Sequence, residues 1–522
     1  MGKRTWWLIG LAAVIATGVG LWIAASRIAK SFEPMIRDQA IKYLSDRFHS
    51  DVQLASLHIH RPKMGIYDLL RKRGRGAKVE VDGEKLSMRF LPNPSPTPLF
   101  SIAKFSFRID LGTLSDTQKV VDAVSIQGMD ITIPPKGEGG AGREGAPAAN
   151  PQASNVLIRE VSIRDANLII LPKDKTRKSL RFEMAHVELK SVGTDRPMAY
   201  DAALTIPKPP GQVHSNGSFG PWNADEPGDS PLSGKYTFDK ADLGIFTGIA
   251  GILQSTGDFD GTLDAIHARG EASVPDFRLK MAGTPVPLRT KFEVLVDGTN
   301  GNTILQPVKA TLGRTAFTTT GAVVKHEHDP TRLIELNVTM PAGELRDLLR
   351  LAVKGPPFME GKIRLKTRID IPPLTGTVKQ RLSLDGKFAL SDAKFLRTNI
   401  QEQIDQLSRR GQGQPKNEEI DEVLSDMQGS FQLSDEVMTF EELSFAVPGA
   451  QVMVAGKYDL AHDMLDFHGA LRLVAKLSQT MTGWKRWVLK PADPFFSKEG
   501  AGTFLKIKIE GPSRKPSFGL DR

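Results

Sequence analysis

The segment KIRLKTRIDI, residues 362–371, places Ile363, Leu365, Ile369 and Ile371 on one side of an extended chain and Lys362, Arg364, Lys366, Arg368 and Asp370 on the other. Successive side chains of a strand point to opposite faces, so this is a sheet element with one oily face and one wet face. The same period returns along the chain: Leu86, Met88 and Phe90; Phe105, Phe107, Ile109 and Leu111; Phe277, Leu279 and Met281; Ile334, Leu336, Val338 and Met340; and Leu505, Ile507 and Ile509 between Lys506, Lys508 and Glu510. Parallel sheets covered on both faces read as continuous apolar runs, so single-faced alternation predicts a long antiparallel meander. The fold class that follows is mainly β.

One repeat stands out. VSIQGMDITI, Val124 to Ile133, and VSIRDANLII, Val161 to Ile170, share V-S-I, then Asp130 or Asn167, then branched apolar residues, which suggests a sheet extended by similar pieces. Residues 136–155 between them are rich in Gly, Ala and Pro and read as a flexible loop. Helical signals are few. Ile36, Ala40, Leu44 and Phe48 recur every fourth residue from Phe32 to His49, and Leu345 to Ala352 reads as a short helix. Asn399 to Met427 reads as a helix, a GQGQP break, and a second helix carrying Ile420, Val423, Leu424 and Met427. Leu477, Met481, Trp484 and Val488 form a stripe beside Lys476, Lys485, Arg486 and Lys490. That helix, with Trp484 and Trp487, suits a bilayer interface; capping the end of the sheet is its other reading.

Residues Thr5 to Ala25 are an uncharged apolar stretch. About 20 helical residues at 1.5 Å each match the roughly 30 Å hydrocarbon core of a bilayer. Trp6, Trp7 and Trp22 lie where indole rings favour the headgroup boundary, flanked by Lys3, Arg4, Arg27 and Lys30. The competing reading is a cleaved signal peptide, whose apolar region is shorter and ends in an A-x-A-like site. Long domains translocate largely regardless of flanking charge, so the expectation is a short cytoplasmic N-terminus and an exported body.

At 522 residues, 40% hydrophobic and 25% charged, the composition is that of a folded protein with room for more than one domain. Zero Cys excludes disulfides and thiolate zinc sites. The net charge of +9 includes Arg71, Lys72, Arg73, Arg75 and Lys78, which either touch anionic headgroups or form a solvated turn. No nucleic-acid motif accompanies the charge, so nucleic acid is not an expected partner.

Signatures of chemistry are absent: there is no G-x-S-x-G elbow, GxxxxGK[ST] loop or H-E-x-x-H helix. His58-Ile59-His60 and His326-Glu327-His328-Asp329 each offer two ligands without a third, and Asp258-Phe259-Asp260-Gly261 lacks the later Glu of a calcium loop and reads as a turn. No catalytic residue, metal or cofactor is assigned.

The span followed by SFEPMIRDQAIKYLSDRF, the central ADLGIFTGIAGILQSTGDFDGTL and VDGTNGNTILQPVKATL, and the C-terminal VPGAQVMVAGKYDL, LSQTMTGWKRWVLKPADPFF and GTFLKIKIEGPSRKPSFGLD together resemble the AsmA-like proteins of the double-membraned bacterial envelope. The resemblance implies a single-pass inner-membrane protein with a large periplasmic body, a long bent β-sheet (trough or taco-like) with an apolar groove and capping helices, and no enzymatic activity. Its implied role is phospholipid transport between inner and outer membranes and outer-membrane biogenesis, with phospholipids as ligand and an outer-membrane or periplasmic protein at the distal end. The alternative is a non-enzymatic scaffold or regulator of outer-membrane protein assembly. The implied layout is an anchor at 1–30, a helix and first β segment at 31–135, the loop at 136–155, a central sheet at 156–395 and an AsmA-like C-terminal region at 396–522. Phe105, Phe107, Ile109, Ile363, Leu365, Ile369, Ile371, Leu505, Ile507 and Ile509 are the candidate groove floor. Alternation looks the same in an open groove and in a closed sandwich core, so these residues fit either.

Overall fold

The computed structural model describes residues 37–521 apart from 43, 47–49, 61–75, 91–99, 111–118, 134–155, 172–177, 194–195, 222, 224–225, 281–283, 326–328, 330, 397, 413–422, 475–503 and 514. It is mainly β with few helices. Two compact units divide at Tyr236 and Thr237. The expected span at Thr5 to Ala25, the loop at 136–155, and Trp6, Trp7, Trp22, Trp484 and Trp487 lie outside the described residues. Among the described residues, no helix is long and apolar enough to cross a membrane.

In the first unit, residues 37–42 and 44–46 are helical. The strands β1 (Ser50–His60), β2 (Lys78–Phe90), β3 (Phe100–Asp110), β4 (Lys119–Ile133), β5 (Val156–Ile170), β6 (Leu180–Val192), β7 (Met198–Pro207) and β8 (Pro210–Phe219) follow, and β9 (Pro231–Asp242) carries the chain past the boundary. Each strand from β1 to β8 pairs with the next, and all pairs are antiparallel except β4 with β5. That parallel pair corrects the expected meander. The two repeat copies lie side by side in register, Val124 beside Val161, Ile126 beside Ile163 and Ile131 beside Leu168. A parallel pair needs a crossover connection of roughly a dozen residues or more, and the long segment between the copies supplies that length.

A line of matched breaks in the alternation crosses this unit, with the register unchanged across it. Inward side chains normally fall two apart, yet Leu54 and Leu57, Gly83 and Leu86, Ile102 and Phe105, Ile126 and Met129, and Ile163 and Ala166 fall three apart on neighbouring strands, with exposed residues between them. Lys85, Gly128 and Asp165 take positive φ there, at 53°, 67° and 54°. Each strand skips one residue where its neighbours do, so pairing stays one to one across this line and the inward side chains keep their rows.

The second unit holds β10 (Ile249–Ala250), β11 (Ile252–Thr262), β12 (Ala265–Val274), β13 (Arg278–Leu279), β14 (Leu288–Val296), β15 (Thr303–Leu312), β16 (Thr315–Val324), β17 (Leu333–Glu344), β18 (Met359–Ile371), β19 (Ser383–Phe395), β20 (Ser425–Ser434), β21 (Val437–Val447), β22 (Ala450–Asp459), β23 (Met464–Leu473), β24 (Phe504–Pro512) and β25 (Ser517–Leu520). From β11 to β25 the strands form an antiparallel meander, except that β12 pairs directly with β14 and the short β13 pairs with β10. The turn between β20 and β21 puts Asp435 and Glu436 at φ 50° and 63°, the left-handed pair that a two-residue hairpin loop requires.

Two helices lie against this meander. Leu345–Ala352 forms where the sequence predicts it and covers a cluster of Met340, Met359, Ile363, Leu390 and Ala393. Thr398–Gly411 packs Ile404 and Leu407 onto Val423, Val447, Ala450 and Leu473. The expected second helix lies outside the described residues as far as residue 422, and its described part from Val423 to Met427 is not helical. Val423 and Ser425 are buried while Leu424 is half exposed, a period of two, and β20 starts at Ser425. Of the expected strand through Phe277, Leu279 and Met281 the described part is the short β13, with Pro275 before it and Pro285 and Pro287 after it, and Met281 lies outside the described residues. The expected turn at Asp258 to Gly261 is instead part of β11, where Arg269 on β12 reaches Asp258 at 2.8 Å and Asp260 at 2.7 Å.

Candidate functional site

Register joins the inward residues of each unit into apolar rows that run across the strands. In the first unit one row is Ile59, Val81, Phe107, Val124, Val161, Leu189, Tyr200 and Gly217, each directly opposite the next. A second is Leu57, Gly83, Phe105, Ile126, Ile163, Val187, Ala202 and Ser215. The rings of Phe105 and Phe107 lie parallel, their centroids 6.4 Å apart. A Cβ on Gly83 would sit 2.1 Å from Phe105 Cζ, so glycine is what lets the ring lie flat across β2.

Coverage of these rows is uneven. Leu54, Leu57, Val79 and Val81 are buried, with Ile41 of the N-terminal helical stretch, Phe105, Phe107 and Ile109 packed on them. From β6 onward the same rows are only half buried. Burial pushes the Tyr200 phenol above its ordinary value, although Ser215 hydrogen-bonds it at 3.1 Å. The first unit thus has a closed end and an apolar face that is partly accessible.

The second unit repeats the arrangement at greater length. Phe259, Ala268, Val294, Leu305, Gly321, Leu336, Ile369, Leu384, Leu433, Met438, Tyr458, Leu465 and Gly511 are successive register partners from β11 to β24. No member is charged, and all but Leu433 are half buried. At about 4.8 Å per strand step the row runs roughly 58 Å. A second row, Ile363, Leu390, Met427, Phe445, Val452, Leu471 and Leu505, begins under the helix Leu345–Ala352. A third, Met340, Leu365, Phe388, Gly429, Leu443, Val454, Gly469, Ile507 and Leu520, lies between them.

The ten residues named from the sequence fall into distinct settings. Ile363 is 6% exposed and Leu365 packs beside it, both in the helix-covered core. Phe105, Phe107 and Ile109 support the covered end of the first unit. Ile369 and Ile371 lie on the half-buried stretch, opposite Leu336 and Ile334. Leu505, Ile507 and Ile509 stand beside the edge strand β25, whose Phe518 and Leu520 are 67% and 62% exposed. Leu336, Leu384 and Met438 were missed. Each sits in an alternating strand, but only register shows which of them share a row.

The helix Leu345–Ala352 is fixed by polar contacts. The buried Asp347 carboxylate accepts from Arg314 N at 2.8 Å and Thr315 Oγ1 at 3.0 Å on the β15–β16 turn. Glu344 beside it accepts from Lys362 and Arg314, which hold its carboxyl below the usual range, Lys362 first.

His60 meets Asp82 at 2.7 Å with both side chains exposed, and His326 and His328 lie outside the described residues. Asp466, His468 and Glu510 come within 4.8 Å of one another at the surface, but His468 is engaged by Asp466 and Asp521 and Glu510 by Lys508. No family model, curated protein or solved structure matches the chain.

Proposed function

We propose that this protein holds lipid acyl chains on the apolar faces of its sheets and, as its sequence resemblance to AsmA-like proteins implies, serves phospholipid transport between inner and outer membranes and outer-membrane biogenesis. The reading places it in the inner membrane by its N-terminal apolar stretch, with the body in the periplasm, and gives it no catalytic role. One observation carries it: the uncharged row from Phe259 to Leu465, half buried at every member but Leu433. A closed core would bury those side chains as deeply as Ile363 and Leu390 are buried.

The driving force is partition. Each buried CH₂ gains about 0.8 kcal/mol, so an acyl chain leaves water for a continuous apolar floor. A row with no charged member offers no deep trap and no barrier along its length, so a bound chain can shift along it. The test is photocrosslinking from residue 369, 336 or 384 in cells, with residue 337 on the opposite face as control, followed by lipid analysis. Phospholipid adducts at the inward positions and none at 337 are expected. Adducts at neither set, together with purified protein free of lipid, would overturn the reading.

A further inference from the structure

The opposite face of the second unit carries a second ordered row. Lys291 on β14, Lys309 on β15, Thr318 on β16, Thr339 on β17, Lys366 on β18 and Lys387 on β19 are successive register partners. Lys291 therefore lies directly opposite Lys309, and Lys366 opposite Lys387. Like charges in that relation destabilise a sheet, and this unit contains the arrangement twice in one line. All four lysines are exposed, and none forms an ion pair among the described residues.

The surroundings define the outline of the row. Arg289 and Arg364 flank it on one side. On the other stand Glu293, Asp385 and, directly opposite Asp385, Arg368, whose guanidinium is taken by Glu335 and Asp370. Glu271 follows at one end, in register with Lys291 but without an ion pair, and Glu442 closes the other after Ser430. The cationic area is thus a strip, about 24 Å long at roughly 4.8 Å per strand step. Two concavities lie along it, one of about 750 Å³ containing Arg289, Lys291 and Lys309 and one of about 370 Å³ containing Arg364.

We infer that this strip binds a linear, phosphate-bearing polyanion lying across the strands, on the face opposite the apolar rows. A flat anionic bilayer fits less well, because it would meet the bordering carboxylates together with the lysines. Lysine is a point-charge phosphate ligand, and the hydroxyls of Thr318 and Thr339 can donate to the oxygens that cross the gap between the lysine pairs. Occupancy also accounts for the repeated like-charge opposition, since a bound anion relieves it.

The experiment measures binding of the full-length protein to linear inorganic polyphosphate, to orthophosphate and to vesicles of anionic phospholipid across a salt series. The variant replaces Lys291, Lys309, Lys366 and Lys387 with Gln; a control replaces the exposed Lys104, Lys235, Lys457 and Lys506 with Gln and has the same net charge. Salt-sensitive polyphosphate binding, weakened roughly tenfold or more in the row variant and much less in the control, is the expected result. Denaturation of the row variant should show it folded and at least as stable as the parent. Equal losses in both variants, no polyphosphate binding at low salt, orthophosphate bound as tightly as the polymer, or a row-dependent affinity confined to vesicles would each overturn the inference.

Discussion

Asn167 donates from Nδ2 to Asp130 Oδ1 at 2.7 Å, and the two residues occupy the same position in the two copies of the repeated sequence. The contact joins β4 to β5 across the single parallel pairing among the described strand pairs. The breaks in alternation match as well, since Gly128 and Asp165 are equivalent positions and both take positive φ. Both copies therefore break their alternation at one place and stay in register beyond it.

That contact predicts a graded response. Asn167→Ala removes a charge-assisted hydrogen bond and leaves the part-buried Asp130 with one partner fewer, a loss of about 1–3 kcal/mol. Asn167→Asp costs more at neutral pH, because it opposes two carboxylates, and the difference should narrow as the buffer is taken below the carboxylate range. Urea denaturation of the three proteins at two pH values checks both statements.

Asp347 gives a second case. The residue is 7% exposed and its carboxylate accepts from Arg314 N and Thr315 Oγ1, so Asp347→Ala deprives two groups of an acceptor. A destabilisation of about 2–3 kcal/mol follows, with Thr315→Val costing about half as much. Hydrogen exchange should speed up first in the helix Leu345–Ala352, which that carboxylate fastens to the β15–β16 turn.

How much of this was legible in the sequence differs by level. Alternation marked β18 and β24 correctly, because it depends only on neighbours in the chain. The direction of β4 against β5 was not legible: a single-faced strand reads the same beside a parallel partner, and the matching V-S-I copies showed similarity without adjacency. Register was also hidden. Ile363 and Ile369 look equivalent in KIRLKTRIDI, and they differ because Leu345–Ala352 covers one and leaves the other half buried. The lysine row is wholly a product of register, its members coming from separate strands.

The edge strand supplies a pH prediction. His468 Nδ1 meets Asp521 just past β25 and Nε2 meets Asp466, each at 3.1 Å, and the Asp521 hydrogen bond is the leading cause of a raised His468 pKa. A raised histidine pKa stabilises the folded arrangement fully below its unfolded value near 6.5. That contribution is lost as pH rises through the folded value. Amide exchange at Ser517–Leu520, corrected for its intrinsic pH dependence, should therefore quicken across that interval. Asp521→Asn should remove most of the effect, and unchanged pH dependence in that variant would dismiss the clamp.

Ile363 and Ile369 allow the accessible floor to be separated from the covered core by one kind of substitution. Ile363→Glu places a carboxylate among Met340, Leu390 and the helix-covered cluster, with no cation within it to pair, and should cost several kcal/mol or abolish folding. Ile369→Glu places the same group opposite Leu336 and Leu384 on a face that water reaches, so its charge stays partly hydrated and the protein should fold. The cost then falls on the ligand: a carboxylate in the middle of an uncharged row repels acyl chains, and copurifying phospholipid should drop well below that of the parent. Circular dichroism melting and lipid extraction of both variants make the comparison. Equal destabilisation by the two substitutions would mean that the row from Phe259 to Leu465 is sealed, and a folded Ile369→Glu protein with undiminished lipid would place the acyl chains elsewhere.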